Sequence, residues 1–167
     1  MSTKNLYSTE AKEKIKKMAE SIDFTMMATD LKTQPFHAVP MSTKEVDAEG
    51  NIWFLSNKNS THNQNIEKEN HAHLIYADNG NFEFLSIYGR AHITTNPSRI
   101  KELYGSGDDA WFDGVDDPNI TAIKVEPNEA WYWDTKSGKV LSLLKMIGAS
   151  ITGNEPDLGE EGKLKIK

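Results

Sequence analysis

The run Val46-Asp47-Ala48-Glu49-Gly50-Asn51-Ile52-Trp53-Phe54-Leu55-Ser56 decides the architecture. A β-type stretch ends at Val46, turn-forming residues reverse the chain, and Ile52 to Ser56 resumes as an aliphatic and aromatic strand. Gly50 supplies the positive-φ position of a short hairpin loop. Upstream, Phe36 to Val46 reads as the partner strand. Before it, Phe24, Met26 and Ala28 alternate with Thr25, Met27 and Thr29 at period two, which gives a third antiparallel strand.

Downstream the pattern continues. His71 to Ala77 and Phe82 to Thr95 flank Asn79-Gly80, a strong hairpin signal, and Gly89 marks a bend or the close approach of a ligand in the longer strand. Pro127 separates two further strands, Ile120 to Val125 and Ala130 to Trp133. Helices flank this sheet. Ala11, Ile15, Met18, Ala19 and Ile22 form one stripe at period 3.6 across Thr9 to Ile22. Ser60 caps a short helix ending near Glu69, and Asn96-Pro97 opens another that reaches Tyr104. Val140, Leu143, Leu144, Ile147 and Ile151 return to helical spacing. Gly153 to Lys167 has little to bury and is expected to be a tail or a partner-docked arm. The expectation is one mainly β domain over residues 1–152, with about seven antiparallel strands in a barrel or sandwich, and a tail over 153–167.

Composition narrows the function. The chain has 167 residues, with 25 acidic against 19 basic side chains and a formal net charge of −6. That balance argues against nucleic acid as a partner, because no basic stripe exists to displace counterions. Apolar residues make up 37% but never run longer than four together, so neither a membrane span nor a signal-peptide core is expected. The absence of cysteine removes disulfides, zinc–thiolate sites and thiol nucleophiles, and the expected location is cytoplasmic. Arg90 and Arg99 are the only arginines, so bidentate phosphate recognition rests on those two.

Several groups of residues invite chemistry. His71 and His73 share one face of a strand and suit a metal, but no third ligand is placed by sequence, and no metal site is expected. Asp108, Asp109, Asp113, Asp116 and Asp117 crowd one loop, yet their order does not follow an EF-hand, and turns use the same residues. Gly105-x-Gly107 follows a helix instead of a strand and lacks the dinucleotide context. Trp53, Trp131 and Trp133 suit core packing, whereas Trp111 lies in a polar loop and suits a ligand or a partner subunit. Finally, the strand Ile52 to Ser56 runs into Asn57-Lys58-Asn59-Ser60-Thr61-His62 and a helix start. Hydroxyls and free backbone N–H groups there suit a phosphate; a polar loop with a capping serine fits equally well.

Trp53-Phe54-Leu55-Ser56 with Ser60, Gly89-x-Ala91, Ala110-Trp111-Phe112-x-Gly114-x-Asp116-Asp117-Pro118 and Glu129-Ala130-x-x-Trp133-Asp134 resemble the bacterial general stress protein 26 family. That family belongs to the pyridoxamine 5′-phosphate oxidase-like group. The resemblance runs from about Ile15 to Gly153. It implies a six- to seven-stranded antiparallel split β-barrel, a homodimer, and FMN at the dimer interface serving a flavin-dependent oxidoreductase with a small-molecule redox substrate. Two alternatives are a non-enzymatic barrel that has lost FMN and a deazaflavin-dependent reductase. Carried onto this chain, Val39, Pro40 and Met41 run along the flavin, and Leu55 and Ser56 end the strand beneath its phosphate side. Ser60, Thr61 and His62 form the phosphate loop, and Trp111 lies near the flavin. Where the family has an arginine before the Pro-Met pair, this chain has Val39; where it has a lysine after the serine, this chain has His62. The chain also lacks the arginine-containing tail of the true oxidases, so vitamin B6 oxidation is not expected.

Overall fold

A computed structural model describes residues 2–135 and 159–166. Two short strands, β1 (Ser2–Thr3) and β2 (Leu6–Tyr7), precede helix α1 (Ser8–Ile22). The stripe read from sequence is the buried face of this helix: Ala11, Ile15, Met18 and Ala19 pack into the main core. Each fully buried Ile or Met there adds about 1.5–3 kcal/mol.

Strand β3 (Phe24–Thr29) pairs antiparallel with β4 (His37–Ser42) on one side and with β7 (His71–Asp78) on the other. The single strand expected over 36–46 is two pieces, β4 and β5 (Glu45–Val46), because Thr43 and Lys44 break the ladder between them. Strand β5 pairs with β6 (Ile52–Asn57) across the hairpin, where Gly50 has φ +88°. Helix α2 (Thr61–Lys68) follows, and Ser60 caps it by accepting a hydrogen bond from the Asn63 N–H at 3.2 Å. Strand β8 (Glu83–Thr94) returns along β7, and α3 (Pro97–Leu103) begins with Asn96 as its cap.

The two strands expected on either side of Pro127 are one, β9 (Ile120–Asp134). The register slips opposite Tyr88 and Gly89, so Pro127 faces Gly89 at a bulge and the strand continues past it. Gly89 is required there, since a Cβ would lie 2.3 Å from the Glu126 carbonyl oxygen. The close approach at Gly89 is therefore made by a neighbouring backbone.

The stretch read as a tail contains β10 (Glu160–Lys165), antiparallel to the C-terminal part of β9 and parallel to β1 and β2. Its Leu164 is fully buried, which the sparse apolar content of 153–167 did not signal. The helical spacing over 140–151 lies outside the described residues. Among the described residues the sheet thus has ten strands and is mixed, not the purely antiparallel set of about seven expected.

Neighbours follow the order β4-β3-β7-β8-β9, and β9 then forks: Ile120 to Val125 pair with β6, while Ala130 to Asp134 pair with β10. This path brings β4 and β6 face to face at the two ends of a curled sheet without backbone pairing between them. Phe54, Tyr76, Leu74, Ile87 and Ile123 fill the interior. A smaller cluster, Leu55, Ile100, Leu103, Ile120 and Ala122, sits beneath α3.

Candidate functional site

The seam between β4 and β6 opens into a cavity of about 500 Å³. Val39, Pro40, Met41 and Ser42 form one wall, and Leu55, Ser56 and Asn57 form the other. Because the two strands run in opposite directions, the start of β4 lies beside the end of β6, and this gives the cavity two different ends. At one end stand Ser56, Ser60 and His62, where β6 runs into α2. At the other stand Phe24, paired with Ser42, and Lys44, bonded to Asp108 and beside Trp53 at the start of β6; the loop residues Trp111 and Phe112 also line the cavity.

Of the residues nominated from sequence, Val39, Pro40, Met41, Leu55, Ser56, Ser60, His62 and Trp111 all line this one cavity. Thr61 does not; it is the exposed first residue of α2. Among cations, Lys44 lines the cavity. Lys58 instead donates to the Pro118 carbonyl at 3.2 Å, and Arg90 is an exposed residue of β8 outside the cavity. Phe24, Ser42, Asn57, Gly107, Asp108 and Phe112 were not nominated as lining residues. No local motif marks them, because they come from separate elements and meet only when the sheet curls.

A closed hydrogen-bond circuit fixes the α2 end. Asn63 Nδ2 donates to Thr121 Oγ1 at 2.8 Å, and Thr121 Oγ1 donates to the Ser56 carbonyl at 3.1 Å. Asn63 Oδ1 therefore accepts the Ser56 hydroxyl hydrogen at 2.8 Å. Ser56 has one hydrogen and has spent it, so at the 2.5 Å contact Ser56 Oγ accepts from His62 Nε2–H. This Ser–His contact is thus not an activated nucleophile: the imidazole donates to the hydroxyl and has no proton to take from it. Burial, with a further push from His37, holds the His62 pKa below its ordinary value.

At the other end Lys44 Nζ donates to Asp108 Oδ1 at 2.7 Å, and Asp108 Oδ2 accepts from the Gly105 N–H at 2.8 Å. Two further carboxylates of the acidic loop are engaged within it. Asp109 accepts from the Tyr104 hydroxyl, and Asp117 accepts from the backbone N–H groups of Asn119 and Asp113. The turn-and-cap use expected of these residues is displayed by Asp108 and Asp117. Trp111 is 81% exposed at the cavity rim.

The remaining candidates resolve into local contacts. His71 Nδ1 meets Glu69, with its ring stacked on Tyr88, and His73 Nε2 meets Ser86 Oγ at 2.7 Å. Core packing accounts for the tryptophans only in part, since Trp53 packs against the smaller cluster while Trp131 is exposed. Trp53 is half-buried and donates from Nε1 to Asp47, and Trp131 lies open beneath the Lys163 ammonium. A second hollow of about 450 Å³ is lined by Trp53, His92, Arg99 and Lys124, but its fixed cations are already matched. Arg99 meets Glu45 and Glu102 at 3.1 Å each, and Lys124 meets Glu126 at 2.6 Å.

A mainly β protein with a cavity in the seam between two facing strands, closed at one end by a helix start, is the class this fold and site define. The chain belongs to the pyridoxamine 5′-phosphate oxidase-like family, whose sequence model matches residues 10–157. It is 26% identical over 81 residues to general stress protein 26 of Bacillus subtilis, a match covering 47% of this chain and 58% of that protein's length. Its fold is similar to that of a general stress protein 26 from Jannaschia sp. CCS1, with a TM-score of 0.78 and 23% identity over 93% of this chain and 98% of that one. A general stress FMN/FAD binding protein from Xanthomonas citri superposes with a TM-score of 0.66 and 25% identity, over 78% of this chain and 92% of that one.

Proposed function

We propose that the chain is a flavoprotein that binds FMN in the β4–β6 seam and acts as a cytoplasmic, homodimeric, flavin-dependent oxidoreductase on a small-molecule substrate. The observation that carries this reading is one cavity of about 500 Å³ with two chemically distinct parts. Its volume falls within the roughly 300–1,000 Å³ usual for small-molecule sites. Val39, Leu55, Phe112 and Trp111 offer apolar and aromatic walls for a flat ring system. Ser60 and His62, with the first-turn amides of α2, offer donors for a phosphate. The donor set therefore fits FMN, and the description of the Xanthomonas citri relative as FMN/FAD binding supports the same ligand class.

FMN, when held there, supplies electron transfer between a reduced donor and an acceptor. The protein's own residues bind, orient and exclude water; Ser56, already saturated with hydrogen bonds, keeps His62 in place. We read the path β4-β3-β7-β8-β9-β6 as a six-stranded split barrel whose seam is the ligand slot. For the homodimer, the outer sheet face beside the cavity is apolar and open. Met26 and Ile75 are cross-strand neighbours there at 43% and 46% exposure, and Phe24 next to them also lines the cavity. A second copy covering that face would also cover the open side of the site.

Absorption spectroscopy of the purified protein, before and after adding FMN, tests the reading. Flavin bands that stay with the protein on gel filtration, and leave it in a Ser60→Ala/His62→Ala variant, are the expected result. A protein that takes up no FMN would instead be a ligand-binding barrel without flavin, and uptake of a deazaflavin alone would make it a deazaflavin-dependent reductase.

A further inference from the structure

We propose that this site binds the phosphate monoester of its ligand together with one proton, with His62 as the group that makes the phosphate end cationic. The proposal rests on the flavin reading above and adds the charge state in which the ligand is held.

No fixed cation serves that end among the described residues. Lys44 is at the opposite end of the cavity and is held by Asp108. Lys58 turns to the Pro118 carbonyl, and β4 presents Val39. The titratable group facing His62 from β4 is His37, also an imidazole. From β6 comes only the Ser56 hydroxyl, which accepts from Nε2.

The circuit through Thr121, Asn63 and Ser56 assigns the Nε2–H tautomer to neutral His62. Nδ1 is then the basic nitrogen, and it can gain a proton without breaking the contact to Ser56. In the free protein burial and His37 keep the ring neutral near pH 7, and the helix start disfavours a positive charge as well. A phosphate monoester is a dianion above its second pKa of about 6. Dianion and neutral imidazole brought together in a partly desolvated site leave the charge unanswered. One proton taken from solvent converts the pair into imidazolium and phosphate, an ion-paired hydrogen bond.

The sign follows by linkage. Above about pH 7 neither the free ligand nor free His62 carries the proton, so the complex must take it up and Kd rises about tenfold per pH unit. Below about pH 6 the ligand brings the proton itself and the profile flattens. Riboflavin has the ring and ribityl chain without the phosphate, and its affinity has no such dependence.

The test is titration of the protein with FMN and with riboflavin between about pH 5.5 and 8.5, followed by flavin fluorescence, with proton uptake measured calorimetrically in buffers of different ionisation heat. The expected result is an FMN Kd that rises about tenfold from pH 7 to 8, a flat riboflavin profile, and uptake approaching one proton on FMN binding. His62→Lys should flatten the FMN profile above about pH 7 while keeping tight binding, and His62→Gln should flatten it with weak binding. A flat FMN profile in the native protein, or a slope that survives in His62→Lys, overturns the proposal and leaves the flavin reading standing. Failure of both flavins to bind at any pH overturns both.

Discussion

Lys44 Nζ and Asp108 Oδ1 lie 2.7 Å apart although 64 residues separate them in sequence. This pair ties the segment between β4 and β5 to the loop that carries Trp111 and Phe112, so it sets how the aromatic side of the cavity is closed. Both side chains are largely covered, at 18% and 10% exposure, so solvent screens the pair only in part. Lys44→Met should destabilise the protein by about 1–3 kcal/mol, since Asp108 keeps only the Gly105 N–H. Urea unfolding would measure this. A Lys44→Met/Asp108→Leu double variant should recover much of the loss, because it leaves no unpaired charge.

Gly89→Ala is expected to be the more damaging of two small changes on β8. The new methyl would meet the Glu126 carbonyl oxygen at 2.3 Å and its carbon at 2.9 Å, both of them backbone atoms unable to swing away. A loss toward the upper end of about 1–3 kcal/mol should appear in denaturant unfolding. Ser86→Ala, at a half-buried site bonded to His73, should cost less, about 0.5–1.5 kcal/mol.

Stability of the unliganded protein should fall as the pH drops below about 6.5. Burial lowers the pKa of His73, and burial with His37 lowers that of His62. A histidine depressed on folding adds stability above its unfolded pKa, and that stability is lost as pH falls through the folded value. Thermal unfolding at steps between about pH 7.5 and 5 would follow this loss, and a His73→Gln variant should show a shallower slope than the native protein.

Association through the outer sheet face should be broken by charge. Ile75→Lys places an ammonium in the middle of the Phe24–Met26–Ile75 patch; on the homodimer proposed above, light scattering should report a dimer for the native protein and a monomer for this variant. Flavin affinity should drop in the same variant, because the uncovered side of the site stays open to water. An unaltered mass with unaltered flavin binding would place the partner surface elsewhere.

Much of this molecule was legible in one dimension. Period-two alternation at Phe24–Thr29, the hairpin around Gly50, the cap at Ser60 and the Asn96-Pro97 helix start are all local, and local sterics and hydrogen bonding act the same way in any fold. The same holds for the α1 stripe, because a helix needs one continuous apolar face wherever it docks. The residues nominated around Pro40, Ser56 and His62 came from a resemblance tied to such segments, and the structure gathers nearly all of them into one cavity.

What sequence did not decide was every relationship that depends on a distant backbone. Pro127 reads as a strand break, yet the bulge opposite Gly89 frees it from donating a ladder hydrogen bond and β9 runs on. Residues 160–165 read as a tail because they are polar, but a strand flanked on both sides by others is held by backbone pairing, and burying Leu164 is enough to seat it. The cavity belongs to the same category. The chain itself determined strands, caps and the chemistry of each side chain; only the curl of the sheet, which sets β4 against β6, decided that Lys44 would be matched by Asp108 and that His62 would be left as the ionisable group of the other end.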